Sequence, residues 1–190
     1  PKGYDHDQQI MLGAEPADGN DLIRVVRDQI GKGADFIKVY ADYRWGIQGE
    51  DRPSFTLDEL KLIHEVTTSS GRFMVCHAKS KEAIRRAVLA GARTIEHGDF
   101  MDAETATLLK ENNVTFIPTI SAVEMITQYR GWKKGIDPDP ANVSNKKKSF
   151  LAALSNGVAI GMGGDVGVFP HGKNSLEMEL MVEYGMAPLN

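Results

Sequence analysis

Four residues of this chain combine a reactive type with a telling position: Lys38, His77, His97 and Asp165. His77 ends the apolar run 73–76, and His97 ends a second short run, 93–96, with one helical segment between them. In a parallel α/β unit, successive strands lie side by side and share a rim at their C-terminal ends. Both imidazoles would meet there. As neutral ring nitrogens on one rim they can hold a borderline cation such as zinc; the plainer alternative is that each bonds a loop. Asp165 ends a run of small and apolar residues and follows Gly163 and Gly164, which let the backbone approach a partner closely. A carboxylate there can ligate a metal and take a proton from the water bound to it, or simply cap the next helix. Lys38 lies within Phe36-Ile37-Lys38-Val39, where a charged amine is costly to bury. Its stem can snorkel outward, its neutral amine can form a Schiff base, or it can add carbon dioxide and become a carbamate bridging two metals. The company of two histidines and an aspartate favours the metal reading.

The elements that would position these residues alternate regularly. From Asp18 or Asn20, apolar residues at Leu22, Ile23, Val26 and Ile30 recur at helical spacing, with Gly33 as the stop. Residues 35–40 are strand-like, and 41–55, with Gly46, Gly49 and Pro53, read as a long loop. Thr56-Leu57-Asp58-Glu59 is a capping box that opens a helix ended by Gly71. Residues 80–90 form the helix between the histidine strands and stop at Gly91. Asp102 reads as the N-cap of the next helix, which passes through Leu108 and Leu109 to Asn113. Residues 114–120 are another strand-like run, 121–132 a helix and 135–140 a loop. A helix through Phe150, Leu151 and Leu154 ends at Gly157, residues 158–165 form a last strand, and 175–185 an amphipathic helix. Short turns lead from helix to strand and longer loops from strand to helix, the habit of a (β/α) barrel with its site on the long-loop side. Five such strands are about five-eighths of the eight a barrel needs. A doubly wound sheet is the other α/β architecture, but no Gly-rich phosphate loop follows the first strand.

Composition narrows the partners. A formal net charge of −4 gives no footprint for nucleic acid or an anionic membrane. No apolar run approaches the ~20 residues of a membrane span, and the start PKGYDHDQQ is not a signal peptide. A cytoplasmic location is favoured, with export left open. Cys76 is the single cysteine, which excludes an intrachain disulfide and a cysteine metal cluster. Strand alternation points it away from the rim into the helix layer, where it should be inert. The run Lys146-Lys147-Lys148 reads as the exposed face of a helix start. His171, in the loop after the last strand, and Tyr40, with Arg44 and Trp45 after the lysine, are candidates to touch a substrate. The chain reads as a piece of a longer protein, and the unpaired sheet edges of a partial barrel favour association, including a homo-oligomer.

GADFIKVY, the histidines in VCHA and IEHGDF, the run FIPTI, and GGDVGVFPHG with ELMVEYGMAPL together resemble the metal-dependent amidohydrolase superfamily. Within it, the resemblance is to imidazolonepropionase-like and Xaa-Pro dipeptidase (prolidase-like) members, over nearly the whole chain. It implies a partial (β/α)8 TIM-type barrel covering about strands four to eight. Residues 1–190 would then be one piece of that domain, with strands one to three and a flanking β-sandwich outside it. By the same resemblance Lys38 is the carboxylated lysine ending strand four, and His77 and His97 ligate one metal from strands five and six. Asp165, ending strand eight, ligates the other metal and is the acid/base. The implied reaction hydrolyses the C–N bond of a cyclic amide, amide or dipeptide: a metal-activated hydroxide attacks the carbonyl and Asp165 passes the proton to the leaving nitrogen. The implied cofactor is one or two divalent ions, zinc foremost, with the carbamate on Lys38. Two departures stand out. His6, in Asp-His-Asp, does not fit the family's His-x-His pair on strand one, and Gly164 stands where relatives often carry threonine. The rival readings are a Schiff-base aldolase or lyase through Lys38, which borohydride trapping separates, and a non-catalytic metal-binding or structural fragment.

Overall fold

A computed structural model of the chain describes residues 15–188; His6 lies outside the described residues. The first part of the chain runs α1 (Asp21–Gly31), β1 (Ile37–Tyr40), β2 (Asp42–Arg44), β3 (Asp51–Pro53), α2 (Leu57–Thr68), β4 (Met74–Ala78) and α3 (Lys81–Leu89). It continues with β5 (Thr94–His97), α4 (Ala103–Glu111), β6 (Thr115–Ile117), α5 (Ile120–Tyr129), α6 (Ala141–Ser155) and α7 (Leu176–Glu183). After five of these helices the chain turns through a left-handed residue, as the sequence predicts: Gly33, Gly71, Gly91, Asn113 and Gly157 have φ between 54° and 97°. That conformation closes off the last helical turn and reverses the chain.

Helix starts are equally local. The Thr56 hydroxyl accepts from the Glu59 amide at 3.2 Å, while the Glu59 carboxylate accepts from the Thr56 amide at 2.8 Å. The same carboxylate accepts from the Gly19 amide at 3.2 Å, tying the entry of α1 to that of α2. Thr56→Ala should therefore lower stability by about 1 kcal/mol in urea unfolding. No measurable change would mean that the cap is redundant.

The main sheet is parallel throughout, in the order β1-β4-β5-β6. Ile37, Val39, Cys76, Ile95 and Phe116 point to one face, where α1, α2 and α3 pack and the core is buried. On the other face lie Lys38, Tyr40, Thr94, Glu96, Thr115 and Ile117, all half-buried or exposed. The polar residues of interest thus share the uncovered side.

Three sequence expectations need correction. The stretch 41–55 is not all loop: β2 and β3 pair antiparallel as a hairpin. The expected strand 158–165 contracts to one parallel bridge, Ile160 to Phe116, held by Phe116 donating to the Ala159 carbonyl at 2.8 Å and Gly161 donating to the Phe116 carbonyl at 2.9 Å. Three glycines within that run give little side-chain packing and a large ordering cost, so the ladder does not extend. Residues 114–120 stop as a strand at Ile117, because Pro118 has no N–H for the ladder and Ile120 already begins α5. Among the described residues, no helix is long and apolar enough to cross a membrane.

Candidate active site

The site begins with register. Tyr40, His77, Glu96 and Ile117 are aligned across the four strands, so their side chains belong to the uncovered face. Tyr40 accordingly stacks on His77, ring centroids 4.7 Å apart. His97 is one step further along, aligned with Ala78. Regular alternation would send its ring to the helix side. It does not go there, because His97 has φ 72° and Gly98 φ 57°. The left-handed turn re-aims the imidazole, and the His77 and His97 rings meet edge to face at 4.4 Å. Backbone strain of this kind costs about 1–3 kcal/mol and persists only where the surroundings enforce it.

Each imidazole has one nitrogen close to an oxygen, hydrogen-bonded in His97 and merely adjacent in His77. His77 Nε2 is 3.3 Å from Asp42 Oδ1, and Asp42 is completely buried. Its other oxygen accepts from the amides of Lys79 at 2.8 Å and Ser80 at 2.6 Å, at the entry to α3. The hairpin β2–β3 therefore anchors on Asp42 and sets its free oxygen beside His77 Nε2, away from Nδ1. His97 Nδ1 lies 2.8 Å from the Thr119 hydroxyl; with Nδ1–H donating, Nε2 keeps its lone pair. Burial, then the neighbouring His77, Lys146, Lys79 and Lys38, hold His97 far below the usual imidazole range, so its ring is neutral. Imidazoles with one nitrogen fixed by an outer oxygen and the other free have the arrangement of metal-binding histidines. On that donor chemistry the pair fits a borderline divalent cation.

The other predicted residues are placed differently. Lys38 has a side chain 41% exposed and pairs with Glu96 at 2.8 Å; the Thr94 hydroxyl donates to the same carboxylate. Its stem snorkels, as the sequence allowed. Asp165 is exposed, with φ 57°, in the loop after the Ile160 bridge, and His171 is exposed further along it. Among the described residues, no three His, Cys, Asp or Glu side chains gather closely enough to hold an ion. Arg44 and Trp45 are occupied within their own hairpin, donating to the Gly49 and Arg52 carbonyls at 3.0 Å each. Cys76 is fully buried, and burial pushes its thiol well above the ordinary range.

Lys146 overturns an expectation outright. It is fully buried, with Nζ donating to the His97 carbonyl at 2.6 Å and the Pro118 carbonyl at 2.7 Å and paired with Asp99. Burial pushes its amine down, opposed by the Asp99 charge. Burial alone would raise Asp99, but the Lys146 cation holds it below its ordinary value. A signal for this was present: Val143, Lys146, Phe150 and Ala153 recur at helical spacing and form the buried face of α6. Asp42 and Glu177 also escape a reading of the sequence alone. Glu177 is completely buried and accepts from the Ile120 and Ser121 amides at 2.8 Å each, capping α5 from α7. Thr119, the residue at the N-cap position, makes no side-chain cap because its hydroxyl serves His97.

A parallel sheet backed by helices, with its candidate residues at the C-terminal ends of the strands, is part of a (β/α) barrel of the TIM type. Residues 7–190 match the Amidohydrolase family, and the chain belongs to it. The chain is similar to ochratoxinase from Aspergillus niger, at 33% identity over 189 residues, covering 93% of this chain and 38% of that protein. The crystal structure of a Xaa-Pro dipeptidase with methionine bound in its active site aligns with a TM-score of 0.77 at 33% identity, covering 90% of this chain and 44% of that one. That of A. niger ochratoxinase aligns with a TM-score of 0.79 at 29% identity, covering 94% and 44%. The chain spans less than half the length of these relatives.

Proposed function

We propose that this chain carries the histidine pair of a metal-dependent hydrolase acting on the C–N bond of a cyclic amide, amide or dipeptide. The carrying observation is the meeting of His77 and His97, with Asp42 beside one ring and the Thr119 hydroxyl bonded to the other. Family membership supports it, since amidohydrolases are generally metal-dependent, and the dipeptidase among the relatives supports a dipeptide-sized substrate. In this reading His77 Nδ1 and His97 Nε2 would hold one divalent ion, zinc foremost, with a carboxylated Lys38, and Asp165 would ligate the other where two ions bind. When bound, the ion supplies Lewis-acid polarisation of the carbonyl and a more acidic water.

The chain's own groups do the rest. Thr119 holds the His97 imidazole and Asp42 flanks that of His77. Tyr40 walls the substrate side of His77, and His171 reaches the substrate from its loop. Asp165 takes a proton on its carboxylate and delivers it to the leaving nitrogen. For Lys38 to add carbon dioxide its amine must first leave Glu96. An ammonium held in an ion pair is a poor nucleophile, so the same release would have to precede a Schiff base, and borohydride trapping separates the two.

Metal content tests this. Protein purified without chelator should carry close to stoichiometric zinc, lose it in His77→Ala/His97→Ala, and bind less in Lys38→Ala. A folded wild type that takes up no added zinc, or a double variant with unchanged content, would overturn the reading.

A further inference from the structure

We infer that Lys146 is the positioning residue for His97, setting from outside the site which way that imidazole faces and which nitrogen it offers. The inference rests on His97 being a ligand, but its structural basis does not. Pairing of β5 with β6 ends at Glu96 and Ile117, so the carbonyls of His97 and Pro118 lie beyond the ladder. Both face α6. The Lys146 ammonium donates to those two carbonyls and is ion-paired with Asp99. One helical turn on, Ser149 Oγ donates to the Gly98 carbonyl at 2.5 Å. A single face of α6 therefore clasps two consecutive left-handed residues at the end of β5, together with the carbonyl just before the left-handed Thr119.

The clasp acts on the ring in two ways. It holds the φ of 72° that turns His97 toward His77 rather than toward the helices. It also fixes the end of β6 relative to the end of β5, which keeps the Thr119 hydroxyl at 2.8 Å from Nδ1. Nδ1 is thereby kept on the Thr119 hydroxyl and Nε2 kept clear of it. A buried lysine serving only as glue for α6 would leave the tautomer of His97 indifferent to its removal.

The test reads the ring directly. Nitrogen-15 correlation spectra of the histidine side chains in the metal-free full chain should show wild-type His97 in one tautomer, with the proton on Nδ1. Lys146→Met/Asp99→Asn removes both charges together, so neither is stranded. That variant should show mixed tautomers at His97, and its zinc affinity should fall roughly 10- to 100-fold, as for loss of other outer partners of metal ligands. A folded double variant with the wild-type His97 pattern and affinity would overturn the inference. Asp99→Asn alone is the second measurement, because the amine still reaches both carbonyls. It should keep the wild-type pattern; scrambling in this variant would make Asp99, not Lys146, the positioning group. A wild type that binds no zinc would end the metal reading, while the tautomer pattern would still decide what Lys146 does.

Discussion

Glu177→Ala should destabilise the chain by about 2–4 kcal/mol, the loss expected when two buried amides are left without an acceptor. α5 starts without a local cap, since Thr119 is left-handed and its hydroxyl is turned to His97. The two leading amides of the helix are satisfied instead by a carboxylate 57 and 56 residues away. The Ser121 hydroxyl has one proton and two acceptors, Glu177 at 2.7 Å and the Gly164 carbonyl at 3.1 Å. The shorter, charged partner wins it. Alanine would leave two buried amides without an acceptor, while the Ser121 hydroxyl turns to the Gly164 carbonyl. Glutamine keeps one acceptor oxygen but turns its NH2 toward a donor, so it should lose roughly half as much as alanine. Urea unfolding of the three proteins measures this. A loss below about 1 kcal/mol for alanine would show that water or a local residue takes over the cap.

Gly98→Ala should cost about 2–4 kcal/mol, from overpacking added to left-handed strain. A Cβ at this position would sit 2.5 Å from Cε2 of Phe116 and 3.1 Å from Cε of Met101, at φ +57°. Phe116 is completely buried in the sheet and cannot swing aside. Gly157 supplies the control. Its φ is +65°, and a Cβ there would have Lys110 Nζ as its nearest neighbour, 3.9 Å away. Gly157→Ala therefore isolates the backbone contribution of about 1 kcal/mol. Equal losses in the two variants would mean that the Phe116 ring yields without cost. Because Gly98 follows His97 directly, the larger loss should come with weaker zinc binding, and Gly157→Ala should leave binding unchanged.

How far the sequence could be read follows the range of each interaction. Left-handed stops at Gly33, Gly71, Gly91, Asn113 and Gly157, and the reciprocal cap of Thr56 and Glu59, are decided within a few residues and were legible. So were the two histidines at adjacent strand ends. What the letters did not carry was the reason the rings meet: alternation alone parts them, and only the turn at His97 brings them together. Lys146 looked like one of three equivalent lysines, although helical spacing sets it apart. Asp42 and Glu177 act across 35 or more residues of sequence, through partners that no local pattern names. The last strand failed because its glycines favour close approach over pairing.

The lone cysteine offers a clock. Cys76 is sealed between β4 and the helices, and it is the single thiol in the chain. A thiol reagent can reach it only when the helices lift from the sheet. Its labelling rate, set against that of an unfolded reference, therefore reports the free energy of that opening without any added probe. Zinc at the opposite face should slow the clock if filling the site tightens the sheet as a whole, and leave it running at the same pace if the two faces breathe independently.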